Sequence, residues 1–164
     1  MGRDKARLRL GPQTMLGHIK TVAKKTGWPV RIIKRDIVPG CGPLGGIHAA
    51  LSTTKSDAIL FLACDMPFIE PELLLYILQS ADSCQAPVFI KSGSRVGFPF
   101  LLSRKTLPLV SKQLGSGALS IRELAKSLKA KTLRLPAEFD RQLLNVNTPY
   151  EWEVAAKLWK RKTL

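Results

Sequence analysis

The chain has 164 residues, 45% of them apolar, which fits one domain with a real core and excludes a disordered segment. It has no run of 18 apolar residues, its charged start from Met1 to Leu10 lacks the apolar stretch of a signal peptide, and its three cysteines form no CxxC pair. A single domain in a reducing cytoplasm, with no membrane span, is therefore expected. The formal charge of +14 favours polyanionic partners, yet its cations are dispersed, and solvated helix faces plus a basic tail at 157–164 account for it as well.

In chain order, residues 12–26 read as a helix, with Met15, Ile19, Val22 and Ala23 on one face, Pro12 at the first position and Gly27 as the stop. Residues 30–34 read as a short strand, 36–46 as a loop dense in Gly and Pro, and 47–52 as a short helix or its continuation. The run AILFLA at 58–63 is continuously apolar, as in a strand buried on both faces of a parallel sheet. A helix at 71–81 and a strand at 87–91 follow. Residues 103–114 read as a helix that Pro108 interrupts, and 118–128 as a better one with Ile121, Leu124, Ala125 and Leu128 in a stripe. Short strands at 131–135 and 143–146 lead to a last helix, capped by Thr148, with Pro149 first and Trp152, Ala155, Ala156 and Trp159 toward the core. Strands alternating with helices predict an α/β fold with a mainly parallel sheet, whose ligands bind beyond the carboxyl ends of the strands.

Four segments carry residues suited to chemistry. In LFLACDMPFI, Asp65 follows the apolar strand directly, where a lone carboxylate can hold Mg²⁺ shared with substrate phosphates; a cap on the next turn is the competing use. In DIVPGCGPLGG, four glycines allow close backbone approach to a flat or anionic ligand, though an ordinary tight turn uses them equally, and neither a P-loop nor GxGxxG is present. In LNVNTP, Asn145 and Asn147 alternate along an expected strand end, so both amides can face a sugar, a phosphate or a metal-bound water; turn and cap chemistry competes. In MGRDKARL, Arg3 and Lys5 can neutralise phosphates or belong to a frayed basic terminus. His18 and His48 are isolated, with no Cys or His at zinc spacing.

Together and in this order, MGRDKARL, DIVPGCGPLGGIHAAL, LACDMPF, GFPFLL and NVNTP resemble the molybdenum-cofactor guanylyltransferases and the wider group of similar nucleotidyltransferases, over about residues 1–157. The resemblance implies a three-layer α/β/α Rossmann-like nucleotidyltransferase fold. It implies Mg²⁺ as cofactor, and transfer of GMP from GTP to the phosphate of molybdopterin with release of pyrophosphate. By position, Lys5 is similar to the phosphate-contacting lysine and Asp36 to the nucleotide-contacting aspartate before the glycine loop. Gly46 matches the position lining the guanine pocket, Asp65 the Mg²⁺ ligand, and Asn145 and Asn147 the pair near the pterin substrate and the chemistry. The family motif LAGGxSxRMGxDKA starts ahead of this sequence, so the first strand is expected to be absent and nucleotide binding weakened. A cytidylyltransferase or a non-catalytic remnant on the same fold are the alternatives. A nucleic-acid partner lacks aromatic–basic interleaving to support it. Molybdoenzyme chaperones or cofactor-insertion proteins are partners by family analogy.

Overall fold

Punctuation residues, more than periodicity, decide where the first elements start. In the computed structural model, which describes residues 5–33, 40–82, 87–93 and 95–162, a 3-10 turn at Lys5–Arg7 leads into two short antiparallel strands, β1 (Arg9–Leu10) and β2 (Gln13–Thr14). Their turn requires Gly11: its φ is +70°, and a Cβ there would collide with the indole of Trp159. Pro12 sits in that turn rather than at a helix start. The helix α1 (Met15–Lys24) begins after Thr14, whose Oγ1 accepts from the Gly17 amide at 3.0 Å.

Residues 30–33 form no strand, and residue 34 lies outside the described residues. The helix α2 (Gly42–Thr53) starts inside the glycine-rich segment, with Pro43 in its first turn, where a missing N–H is harmless. Strand β3 (Ala58–Phe61) is shorter than its apolar run, and α3 (Pro71–Asp82) lies where expected. Then come β4 (Val88–Ser92), β5 (Arg95–Ser103), α4 (Leu107–Gly115), α5 (Ile121–Ser127), β6 (Lys131–Arg134) and α6 (Pro149–Lys162). Pro108 lies in the first turn of α4 and does not interrupt it. The expected strand at 143–146 does not form, since residue 143 closes a 3-10 turn and 144–147 carry no ladder, and the basic residues 157–161 belong to α6 rather than to a tail.

The described residues group into two units. The sheet unit (31–62 and 77–135) holds four strands in the order β3-β5-β4-β6. Among the described strands β5 runs antiparallel to both neighbours and only β4 and β6 are parallel, so the α/β class holds but the sheet is mixed rather than mainly parallel. The cause is β5, which follows β4 as a hairpin partner and inserts between β3 and β4. Pro99 and Gly97 argue against a strand there. The register resolves the conflict: Phe89 pairs with Phe100 while Ile90 pairs with Gly97, so Pro99 falls in the irregularity, and β3 pairing ends at Phe100. Consecutive Val88, Phe89 and Ile90 are all buried, so β4 is covered on both faces. β3, by contrast, pairs among the described strands only with β5 and is half-buried throughout. Against one face pack Leu44, Ile47 and Leu51 of α2, Val110 of α4 and Leu124 of α5. Phe100 is the hub, stacked on Phe89 at 4.6 Å and on Phe61 at 5.2 Å and tilted against Phe98 at 4.7 Å.

The site unit (1–30, 63–76 and 136–164) has a smaller cluster of Leu10, Met15, Phe68, Val146 and Ala155, edged by Trp152 and Trp159.

Candidate functional site

The segment after β3 is fixed by what surrounds its carboxylate. Met66, Phe68 and Ile69 are buried at 1%, 2% and 0% exposure, so the turn carrying Asp65 is pinned by three apolar side chains. Asp65 itself is half-buried in that turn. Its backbone carbonyl accepts from the Val146 amide at 2.8 Å, which ties the Asp65 turn to the segment holding Asn145 and Asn147. Lys5 joins them: its ammonium donates to Asn147 Oδ1 at 2.8 Å. Both asparagines therefore come near Asp65 without the expected strand.

Glu151 orders the same segment. Thr148 Oγ1 accepts from the Glu151 amide at 3.2 Å, and Glu151 Oε2 accepts from the Thr148 amide at 2.8 Å, a capping box at the start of α6. The same oxygen accepts from the Asn147 amide at 2.7 Å. The sequence signal was present as Thr148–Pro149–Tyr150–Glu151; Thr148 is readable as a cap, but Glu151 as the organiser of the asparagine segment is not foreseen.

Two oxygens in this cluster are buried and accept no hydrogen bond: Asp65 Oδ1 and Asn145 Oδ1. A buried acceptor without a donor costs about 1–3 kcal/mol. The Asp65 carboxyl is accordingly held above its ordinary range, first by burial and also by the negative charge of Glu151; its own backbone N–H and the Lys5 cation oppose the shift. Two uncompensated oxygen acceptors, one a carboxylate, suit a hard cation such as Mg²⁺ or Mn²⁺. No group of three His, Cys, Asp or Glu gathers among the described residues, so a cation here would take further ligands from substrate phosphates and water.

Lys5, Asp65, Asn145 and Asn147 thus share one neighbourhood. Gly46 does not lie in a loop: it is inside α2, in the sheet unit, half-buried. The correction has a simple cause, since Pro43 and the apolar run from Leu44 start the helix before the glycines end. Asp36 lies outside the described residues.

An α/β fold with a carboxylate beyond a strand end, a lysine beside it and orphaned oxygens suited to a cation belongs to the nucleotidyltransferase class. Solved structures agree on the fold. The crystal structure of molybdopterin-guanine dinucleotide biosynthesis protein A from Archaeoglobus fulgidus superposes with a TM-score of 0.74 at 19% identity, over 98% of this chain and 92% of that one. The 2-C-methyl-D-erythritol 4-phosphate cytidylyltransferase from Thermus thermophilus gives 0.69 at 13% identity, over 95% and 93%. A third, from Mycobacterium tuberculosis H37Rv, also at 0.69 and 19% identity over 95% and 93%, is a complex with manganese. Residues 22–132 match the family model described as the MobA-like NTP transferase domain, and the chain belongs to that family. Among named relatives, a probable molybdenum cofactor guanylyltransferase from Carboxydothermus hydrogenoformans is 26% identical over 99% of this chain and 91% of its own. The molybdenum cofactor guanylyltransferase of Syntrophotalea carbinolica is 33% identical over 80% and 64%. No helix among the described residues is long and apolar enough to cross a membrane.

Proposed function

We propose that this chain transfers GMP from GTP to the terminal phosphate of molybdopterin, forming the guanine dinucleotide cofactor and pyrophosphate, in the cytoplasm. The observation that carries the reading is the buried Asp65 Oδ1 with no donor, beside a lysine and two asparagines, in a MobA-like chain whose relatives bear guanylyltransferase names. A phosphate oxygen of molybdopterin attacks the α-phosphorus of GTP. The bond from that phosphorus to the bridging oxygen of the β-phosphate breaks, and pyrophosphate leaves. Such transfer rests on positioning and charge neutralisation rather than on covalent chemistry from the protein.

Asp65 Oδ1 and Asn145 Oδ1 are the groups that would hold Mg²⁺, which supplies neutralisation of phosphate charge when bound. The Lys5 ammonium has three N–H groups and uses one on Asn147, leaving others for phosphate oxygens. Asn147 is held at its side chain by Lys5 and at its backbone by Glu151, so its amide is oriented before substrate arrives. In this reading Asp36 contacts the nucleotide and Gly46 lines the guanine side. The dinucleotide product then passes to a molybdoenzyme chaperone or cofactor-insertion protein.

Pyrophosphate release, followed with molybdopterin, Mg²⁺ and in turn GTP, CTP or ATP, tests the reading. Release with GTP above the others is expected. Release with CTP alone would instead make the chain a cytidylyltransferase, and no release in any full mixture would make it a non-catalytic member of the fold.

A further inference from the structure

A second feature lies in the sheet unit and plays no part in the transfer chemistry. Where α5 ends over the sheet, a groove of about 410 Å³ opens between that helix and β4, β5 and β6. Four cations line it: Lys91 of β4, Arg122 and Lys126 of α5, and Lys129 just beyond α5. Among the described residues no carboxylate lines it. Its floor is small and largely apolar, made by Val96, Ala125 and Ala130, with Thr132 also in the lining.

Helix electrostatics account for only part of this. Cations near a helix C-terminus complement the macrodipole, which covers Lys126 and Lys129. Arg122 stands in the first turn of α5, where a cation opposes the dipole, and Lys91 is on a strand. Lys129 also stands where glycine is preferred. It follows the C-cap Leu128 with φ +49°, the one positive-φ residue other than glycine among the described residues, and its amide bonds the Lys126 carbonyl at 2.9 Å.

We propose that this groove is a docking surface for an acidic peptide segment of a partner protein. The rim offers four separated cations to carboxylates, and the methyl-lined floor takes a small apolar side chain between them. Among the described residues the groove has no aromatic side chain, so they offer no stacking platform for the bases of a nucleic acid. An inorganic polyphosphate would leave the apolar floor unused. A second copy of this chain, at a formal charge of +14, would be repelled.

The test uses the full chain and a fluorescein-labelled peptide alternating Glu with Ala, read by anisotropy at about 0.15 M salt. Three variants accompany it: a triple reversal (Arg122→Glu, Lys126→Glu, Lys129→Glu), a charge-matched control on α1 and its C-cap (Lys20→Glu, Lys24→Glu, Lys25→Glu), and Lys129→Gly. The expected result is saturable binding that the groove reversal weakens at least about tenfold and the α1 control changes less than about twofold. Lys129→Gly should bind more weakly while melting higher than the wild type, which separates docking from folding. Equal loss in both triple variants would reduce the binding to net charge and overturn the proposal. So would the absence of binding, or tighter groove-dependent binding of random duplex DNA or inorganic polyphosphate than of the peptide.

Discussion

The sheet unit and the site unit treat buried polar atoms differently. In the sheet unit, His48 Nδ1 and Gln113 Oε1 are buried without partners, but each side chain is anchored at its other end. His48 Nε2 meets Ser111 Oγ at 3.1 Å, and Gln113 Nε2 donates to the carbonyls of Ala118 and Ser120 at 2.6 and 3.1 Å. Those atoms are a tolerated cost of packing. In the site unit, Asp65 Oδ1 and Asn145 Oδ1 are two buried acceptors without donors, on segments joined to each other and beside an ammonium. In the proposed function the convergent acceptors of the site unit serve a ligand, whereas the leftover ends of His48 and Gln113 belong to separate side chains bonded elsewhere.

The contrast can be broken from either side. Phe100→Ala removes the ring that three other phenylalanines contact and should cost about 3–5 kcal/mol in denaturant unfolding. A cost below about 1 kcal/mol would mean that the sheet core collapses around the gap. Next, Asp65→Asn should lower pyrophosphate release by about 10²–10³-fold, in line with loss of a single charge-stabilising group, and should not lower stability. A variant that keeps most of its rate would remove Asp65 from the chemistry.

The same residue predicts a pH dependence. The folded Asp65 carboxyl titrates above its unfolded value, so the folded state binds the extra proton. The stability this group contributes is present below the unfolded value and is lost as pH rises through the folded one. The melting temperature of Asp65→Asn minus that of the wild type, without divalent cation, should therefore grow from about pH 4 to about pH 7. A difference that shrinks over that range would contradict the desolvation account. Smaller again, Thr148→Ala removes the cap of α6 and should cost about 1 kcal/mol. Smallest in stability is Lys5→Ala. Its bond to the exposed Asn147 is worth at most about 1 kcal/mol, so melting should barely change while KM for GTP rises. An unchanged KM would leave Lys5 without a role in phosphate binding.

Much of this was legible in the sequence where a local signal coincides with the global fold. The apolar stripe of α5 and the Thr148–Pro149 start of α6 are of that kind, and so is Asp65, which falls just beyond a strand end. What escaped depended on partners distant in sequence. β5 is hidden by Pro99, which is tolerated only because the ladder with β4 shifts there. Pro12 reads as a helix start until the collision that Trp159 imposes at Gly11 explains the turn. The approach of Asn145 and Asn147 to Asp65 needs no strand, only one amide from Val146, and no periodicity announces one bond. Gly46 shows the opposite failure: a glycine-rich string suggests a loop, yet the apolar residues beside it carry it into α2.

The central claim is that Asp65 is destabilising by itself and is compensated by a cation and its nucleotide. Thermal unfolding of the wild type and Asp65→Asn, each alone and with Mg²⁺ plus GTP, tests it most directly. The account predicts a crossing: Asp65→Asn melts higher when both are alone, and only the wild type gains from Mg²⁺ and GTP, by about 2.7 kcal/mol at a hundred times the dissociation constant. If Asp65→Asn melts lower when alone and gains as much from Mg²⁺ and GTP as the wild type, the orphaned oxygen is not a cation site, and the account fails.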